Sequence, residues 1–360
     1  MQPKLFRMRK VMFITICVIA YNEEQTLPAI LKDIAAQDYA HGSMEVVLVD
    51  SASSDHTKKI MQEFAAQNTT QPDMGFVSVS VLDNPKRTLP CGWNVALKAY
   101  RGEAILKVDA HASIPKDFVT KNVAVLESGE DVCGGQRPNI IEQPTPFRNT
   151  LLLAESSMFG SSIAPYRNNP GKSYVKSMFH AAYRRKVFES IGGFDERMTR
   201  NQDNELNFRI RKNGGKIYLN HNIRVQYYCR DTMRGIMKMG YMNGKWNVIT
   251  MTLVPGSMGV RHFVPLAFVL STILLVLLTL LTKSMLFGGL LALEWGAYLL
   301  LDFFYSYTIA KEKGWKFLPV EIILYPAFHF AYGFGSLCGI AALPKFVRAE
   351  KEKKKAGDGR

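Results

Sequence analysis

The stretch VMFITICVIAYNEE, Val11 to Glu24, decides the fold. Its first ten residues are almost wholly apolar and rich in β-branched side chains; a polar turn follows at Tyr21. Behind Lys4, Arg7, Arg9 and Lys10 the run imitates a secretory signal, yet no small-x-small cleavage site comes after it. A strand buried on both faces of a parallel sheet also reads as a continuous apolar run. The next hundred or so residues favour the strand. Glu24–Gln37 carries Leu27, Ile30, Leu31 and Ile34 at helical spacing, and Met44–Val49 is a second buried strand. Thr57–Gln67 reads as a helix with Ile60, Met61 and Phe64 on one face. Phe76–Leu82 is a third strand, Cys91–Tyr100 a third helix and Ala104–Val108 a fourth strand. Repeated βα units imply a mostly parallel, Rossmann-like α/β sheet with helices on both faces.

Open sheets of this kind bind ligands at the carboxyl ends of their strands. The first strand ends in Tyr21-Asn22-Glu23-Glu24, the second in Asp50-Ser51-Ala52-Ser53-Ser54-Asp55, and the fourth in Asp109-Ala110-His111. Asp55 also suits a cap on the helix near Thr57. Asp109 and His111 flank one residue, so an extended segment would point both to one side. A carboxylate and an imidazole there could hold a divalent cation, although a surface turn carries the same pattern. Neither G-x-G-x-x-G nor G-x-x-x-x-G-K-[ST] occurs, which argues against a dehydrogenase and a P-loop NTPase. Further on, QDNELNFRI (202–210) reads as a helix start: Glu205 and Arg209 are spaced i,i+4 and Leu206 and Ile210 mark the buried stripe. Asp203 then lies in the first turn, either as a helix-terminal charge or as a base presented to a ligand.

The chain has 360 residues, 47% hydrophobic and 21% charged, enough for about two domains with real cores. Its net charge of +14 suits an anionic partner. Lys and Arg are spread rather than clustered, which disfavours nucleic acid. Five scattered cysteines without a C-x-x-C pair point to a reduced protein facing the cytoplasm. After residue 262 the composition changes. The apolar runs 263–282, 285–310 and 317–343 approach or exceed the roughly 20 residues a bilayer core requires. Lysines at 311, 313 and 316 and in the tail (345–360) are expected to face the cytoplasm. That balance predicts two crossings and a third segment that spans or re-enters, bending at its prolines. The expected organisation is a basic tail (1–10), an α/β domain (11–230), an interfacial connector (231–262), a membrane domain (263–343) and a second basic tail (344–360). For the connector, whose Met, Trp and Tyr mix with Arg234, Lys238 and Lys245, an ordinary helix packed on the sheet fits equally well.

The motifs taken together resemble the family 2 glycosyltransferases, inverting enzymes of the GT-A fold, over about residues 12 to 250. The closest subgroup is the succinoglycan-biosynthesis type, which also carries C-terminal membrane helices. VIAYNEE (18–24), LVDSASSDHT (48–57), KVDAHA (107–112), GGFDE (192–196) and QDNEL (202–206) carry the resemblance in order and spacing. It implies that Tyr21, Glu23, Asp50, Asn94 and Asp109 line a nucleotide sugar, with a UDP-sugar foremost. It implies that Asp109 and His111 bind Mg²⁺ or Mn²⁺ on the diphosphate, and that Asp203 is the base that deprotonates the acceptor hydroxyl. Gln202, Glu205 and Arg209 would support the acceptor side. Ser51 and Gln202 stand where many members have Asp and Glu, and the Q-x-x-R-W motif of processive synthases is replaced by MGYMNGKW (239–246). The last departure favours transfer of one sugar over polymerisation. The implied enzyme sits in the inner or plasma membrane with its catalytic domain in the cytoplasm and acts on a lipid-linked saccharide or polysaccharide, feeding an exopolysaccharide, capsule or cell-wall glycan. A polyprenyl-phosphate glycosyltransferase is the nearer rival, and a non-catalytic assembly subunit the more distant one.

Overall fold

The computed structural model describes residues 11–71, 73–141, 143–160, 173–228, 230 and 232–357. The basic N-terminal tail, Cys229 and residues 161–172 lie outside the described residues. The chain divides into two compact units, one of residues 1–138 and 168–227, the other of 139–167 and 228–360. The contiguous domain expected over 11–230 is therefore interrupted: 139–167 groups with the C-terminal helices.

In chain order the strands of the first unit are β1 (Ile14–Ala20), β2 (Met44–Asp50), β3 (Ser78–Asp83), β4 (Ala104–Asp109), β5 (Ala112–Ser113), β6 (Val132–Gln136), β7 (Ser173–Tyr174), β8 (Ala181–Arg184), β9 (Tyr218–Arg224) and β10 (Gln226–Tyr228). Eight of them form one sheet in the order β3-β2-β1-β4-β8-β6-β9-β7. The first four run parallel, with Ile14 opposite Met44 and Ala104 on either side. All seven residues of β1 are buried, as a central strand requires. β8 runs antiparallel to both β4 and β6. β5 pairs antiparallel with β10.

Helices α1 (Leu27–Ala35), α2 (Thr57–Thr70), α3 (Leu89–Ala99) and α4 (Phe118–Glu127) follow the strands; α5 (Pro146–Ser156) falls in the second unit; α6 (Arg185–Ile191) and α7 (Gln202–Lys212) return to the first. Leu27, Ile30 and Ile34 of α1, Met61 of α2 and Phe118 and Leu126 of α4 pack on Ile14, Ile16, Val18, Leu48, Leu106 and Val108 of the sheet. Strand alternation therefore sends Ile105, Lys107 and Asp109 to the opposite face.

Glu45 shows how polar atoms are satisfied at the foot of the sheet. Its buried carboxylate accepts from Thr15 Oγ1 (2.6 Å) and from Arg101 Nε (2.8 Å). Burial alone would raise its pKa; these donors outweigh burial and lower it. A depressed folded pKa stabilises the fold above the unfolded value of about 4.3 and stops doing so as pH falls through the folded one. Glu45→Gln is expected to cost about 2 kcal/mol at neutral pH. In denaturant titrations the gap to the wild type should close on acidification below about pH 4.

The second unit is helical: α5, α8 (Met233–Leu253), α9 (Val264–Thr282), α10 (Met285–Lys313) and α11 (Leu318–Gly357). Three stretches are long and apolar enough to cross a membrane, Val260–Thr282, Met285–Lys313 and Trp315–Ala349. The prolines of the third do not end its helix: α11 is one helix of 40 residues that continues through Pro326 and Pro344. A proline removes one backbone donor without ending a helix whose neighbours hold it. The connector belongs to this helical unit rather than to the α/β one. α8 lies along α11 on a face of glycines: a Cβ on Gly244 would overlap the carbonyl oxygen of Tyr332, and one on Gly335 that of Tyr241. A Cβ on Gly339 would stand 2.6 Å from the Lys245 carbonyl oxygen, and one on Gly240 3.0 Å from the Phe328 ring. Glycines four apart on both helices allow backbones to touch. Phe159 completes this unit, stacked on Tyr305 and edge-on to Tyr325 and His329, while His329 Nε2 lies 2.9 Å from its carbonyl oxygen.

Candidate functional site

The carboxyl ends of β1 and β2 are stitched into one surface by side chains. Asn22 Oδ1 accepts from the Ser54 N–H (2.8 Å), and the Asn22 N–H donates to Ser53 Oγ (3.1 Å). The Glu23 N–H donates to Thr57 Oγ1 (2.8 Å) and the Glu24 N–H to Asp55 Oδ2 (3.2 Å). Asp55 Oδ1 also accepts from the Thr57 N–H, so it serves the helix start as expected. Asn22 and Ala52 are held at φ of 54° and 57°. An alanine there stores strain of the order of 1 kcal/mol or more, a feature that clusters at ligand-binding turns. Asp50 is buried, its carboxylate accepting from the Ser53 N–H, whereas Tyr21 is half exposed beside it.

At the end of β4 the alternation expected to carry Asp109 and His111 to one side breaks, because the chain turns at Ala110. His111 Nδ1 lies 3.0 Å from Glu23 Oε1. Burial alone would raise the pKa of Glu23; the hydrogen bonds from His111 and Thr26 reverse this and lower it. The Asp109 carboxylate turns instead onto Lys107 Nζ (3.6 Å) and His180 Nε2 (3.4 Å). Burial opposes its ionisation, but Lys107, then His180, hold its pKa far below the usual carboxylate range. His180 is pushed down to about 4 by burial, against the pull of Asp109, so at neutral pH it is an uncharged imidazole.

Lys107 connects the two halves of the site. It is 1% exposed, and its Nζ lies 3.3 Å from Asp203 Oδ1 and donates to the Phe179 carbonyl oxygen (3.2 Å). Asp203 stands at the start of α7, after Asn201 in the left-handed conformation (φ 64°). Burial raises the pKa of Asp203, the charge of Lys107 opposing. Raised basicity suits a group that must take a proton from a hydroxyl. Since the base works deprotonated, kcat/KM should fall on acidification through this pKa, with the acidic limb above the value of about 4 of a free Asp. A pH–rate profile checks this.

The remaining motif residues are supports. Gln202 is buried at the helix start. Arg209 pairs with Glu205, with Nη2 2.8 Å from Oε2, and donates from Nη1 and Nη2 to the carbonyls of Ile191 and Gly193 (2.7 Å each). The amide of Asn94, expected against the nucleotide sugar, meets the 192–196 turn, donating to the Phe194 carbonyl (2.9 Å) and accepting from the Phe194 N–H (2.8 Å). Lys107, His180 and Arg137 were given no role by sequence reasoning. Arg137 is buried with its guanidinium 4.3 Å from the Phe179 ring and 4.1 Å from that of Tyr227. A lysine inside the apolar run ILKVD, two residues before Asp109, was a usable signal; His180 carried none.

Among the described residues no three His, Cys, Asp or Glu gather as a metal cage. A divalent cation arriving with its substrate would need few protein ligands, because Mg²⁺ is typically held by one or two carboxylates together with substrate phosphates; Asp109 supplies a carboxylate here, while His111 is turned onto Glu23.

Residues 15–192 match the model of glycosyl transferase family 2. The succinoglycan biosynthesis protein ExoA of Rhizobium meliloti (strain 1021) is 27% identical over 62% of this chain, which spans 65% of that relative's length. A dolichyl N-acetyl-α-D-glucosaminyl phosphate 3-β-D-2,3-diacetamido-2,3-dideoxy-β-D-glucuronosyltransferase of Methanococcus voltae is 24% identical over 89% of this chain and 96% of its own. Among solved structures, the mannosyltransferase PcManGT of Pyrobaculum calidifontis, in complex with GDP-Man and Mn²⁺, superposes with a TM-score of 0.56 at 21% identity, over 89% of this chain and 88% of its own. That likeness gives the fold, GT-A. Strand order, the turns at the strand ends and the family match agree: residues 15–192 form a family 2 glycosyltransferase domain.

Proposed function

We propose that this protein is a membrane-anchored, inverting glycosyltransferase that moves one sugar from a nucleotide sugar to a lipid-linked saccharide, with its catalytic domain on the cytoplasmic face. The observation that carries the reading is the line Asp109–Lys107–Asp203, which sets a donor-side carboxylate and a base on one buried ammonium. Asp50, Glu23 and Tyr21 would receive the nucleotide. Asp203 would take the proton of the acceptor hydroxyl as its oxygen bonds to the anomeric carbon and the bond to the nucleoside diphosphate breaks. Asp109 and His111 would hold a divalent cation, Mn²⁺ or Mg²⁺, which when bound neutralises charge on the leaving diphosphate. The Methanococcus relative, by its name, acts on a lipid-phosphate-linked sugar, and it matches nearly the whole of this chain. That favours a sugar hydroxyl as the nucleophile over a bare polyprenyl phosphate, and so a need for a base. Basic residues near the apolar helices suit anionic membrane lipids.

The test is nucleotide release by detergent-purified protein from a panel of UDP- and GDP-sugars, with and without Mn²⁺, and with polyprenyl-phosphate or polyprenyl-diphosphate sugars as acceptors. Metal-dependent release from one donor, a UDP-sugar being expected first, stimulated by a lipid-linked sugar, is the expected result. Transfer to polyprenyl phosphate itself would select the rival enzyme. No nucleotide binding at all would remove the enzymatic reading.

A further inference from the structure

The catalytic groups of the proposed reaction face different substrates, yet one side chain touches both. Lys107 projects from β4 on the same face as Asp109, two residues on, and reaches the first turn of α7. Its ammonium lies 3.6 Å from Asp109 Oδ1 and 3.3 Å from Asp203 Oδ1, with the Phe179 carbonyl 3.2 Å away and the Phe179 ring 4.5 Å beneath it. At 1% exposure it meets no bulk water. A buried cation must keep an anionic partner, because stripping it of one leaves an uncompensated charge that costs several kcal/mol.

A divalent cation held at Asp109 would take over that carboxylate. Among the described residues Lys107 would then keep one anionic partner, Asp203. Donor binding would thus draw the ammonium onto the acceptor base and orient its carboxylate before the acceptor is activated. We infer that Lys107 is a positioning residue that couples occupation of the donor site to the acceptor base through a shared ion pair. The inference rests on Asp109 being a donor-side metal ligand, as proposed above. Coupling between sites is reciprocal. Removing the charge of Asp203 must therefore weaken metal binding at Asp109, although Asp203 is assigned to the acceptor and not to the metal: Lys107 would lose its alternative partner and hold Asp109 against the incoming cation.

The experiment is calorimetric titration of the full-length protein in detergent with Mn²⁺ together with UDP or GDP, for the wild type, Asp203→Asn, Lys107→Met and the double variant, each checked for an intact melting transition. Asp203→Asn is expected to weaken Mn²⁺·nucleotide binding on the order of five- to tenfold. The same substitution on the Lys107→Met background should change it less than twofold, and on Lys107→Arg, which keeps the charge, the weakening should return. An unaltered affinity in Asp203→Asn overturns the coupling without recourse to any lysine variant. Equal weakening on the methionine background overturns it too, since the effect would then not pass through Lys107. Absence of any Mn²⁺·nucleotide binding by the wild type overturns the donor-site reading itself, a different failure from binding without coupling.

Discussion

Asp203→Asn is expected to lower sugar transfer by about 10² to 10⁴-fold at saturating donor and metal, with the protein still folded. The substitution keeps the shape of the side chain and removes its ability to accept a proton. Asparagine fits the geometry, because its carbonyl oxygen can still accept from Lys107, 3.3 Å away. With donor and metal saturating, the loss should fall on kcat, since the base acts in the transition state and contributes little to ground-state binding of the acceptor. A phosphate acceptor, already ionised, needs little help from a base. The size of the loss therefore separates a sugar-hydroxyl acceptor from a bare lipid phosphate: a drop under tenfold with an active lipid-linked sugar would refute the role given to Asp203. Steady-state transfer rates with the acceptor identified by the panel provide the reading.

Gly244→Leu carries the second large effect, and it concerns the helical unit alone. A Cβ at this position already overlaps the Tyr332 carbonyl oxygen and would stand 2.9 Å from Ser336 N and Oγ. Both obstacles include backbone of α11, so no rotamer change relieves them. The two helices must part, and their separation exposes Phe328 and Tyr332, which pack with Leu151, Ile236 and Tyr325 in that unit's core. Overpacking typically costs 1–3 kcal/mol and occasionally more; a leucine against backbone belongs at or above the top of that range, about 3 kcal/mol. A Cβ added at Gly289 of α10 would meet nothing within 4 Å, so Gly289→Leu should be tolerated. Thermal melting in detergent of the two variants side by side checks the contrast, and similar melting temperatures would show that the glycine face does not hold the pair.

The parallel half of the sheet was legible because each of its strands advertises itself. β1, β2 and β4 are continuous apolar runs closed by a polar turn, and the helices between them keep a 3.6-residue stripe. The later strands were not. β6 is VCGGQ, whose glycines lower strand propensity, and they are there because a Cβ on Gly135 would overlap the Ile223 carbonyl. β8, which inserts antiparallel between β4 and β6, is only four residues long. Local pattern reports neither the neighbour, which for β4 and β8 lies far along the chain (Ala104 opposite Arg184), nor its direction. The same limit shaped the site. Asp50, Glu23, Asp109 and Asp203 could be named because they end recognisable elements. That Asp109 would face Lys107 and His180 rather than align with His111 depends on a turn at Ala110, which the extended reading of D-x-H did not contain. The partner of Asn94 was hidden for the same reason, since it lies 100 residues on. The glycine face of α8 and α11 was present in the sequence as two G-x-x-x-G spacings, 240–244 and 335–339, but neither names its partner.

The turns after β1 and β2 share their hydrogen bonds with each other rather than with a ladder: Asn22 serves Ser54, Ser53 serves Asn22, Thr57 serves Glu23 and Asp55 serves Glu24. Neither turn can open by itself without stranding donors that the other supplies. Their backbone amides are therefore expected to exchange with solvent through one joint opening, so that the floor proposed for the nucleotide behaves as a single cooperative body rather than as two independent loops. Its order is already present before any ligand arrives, so little conformational entropy is left to be lost when one binds.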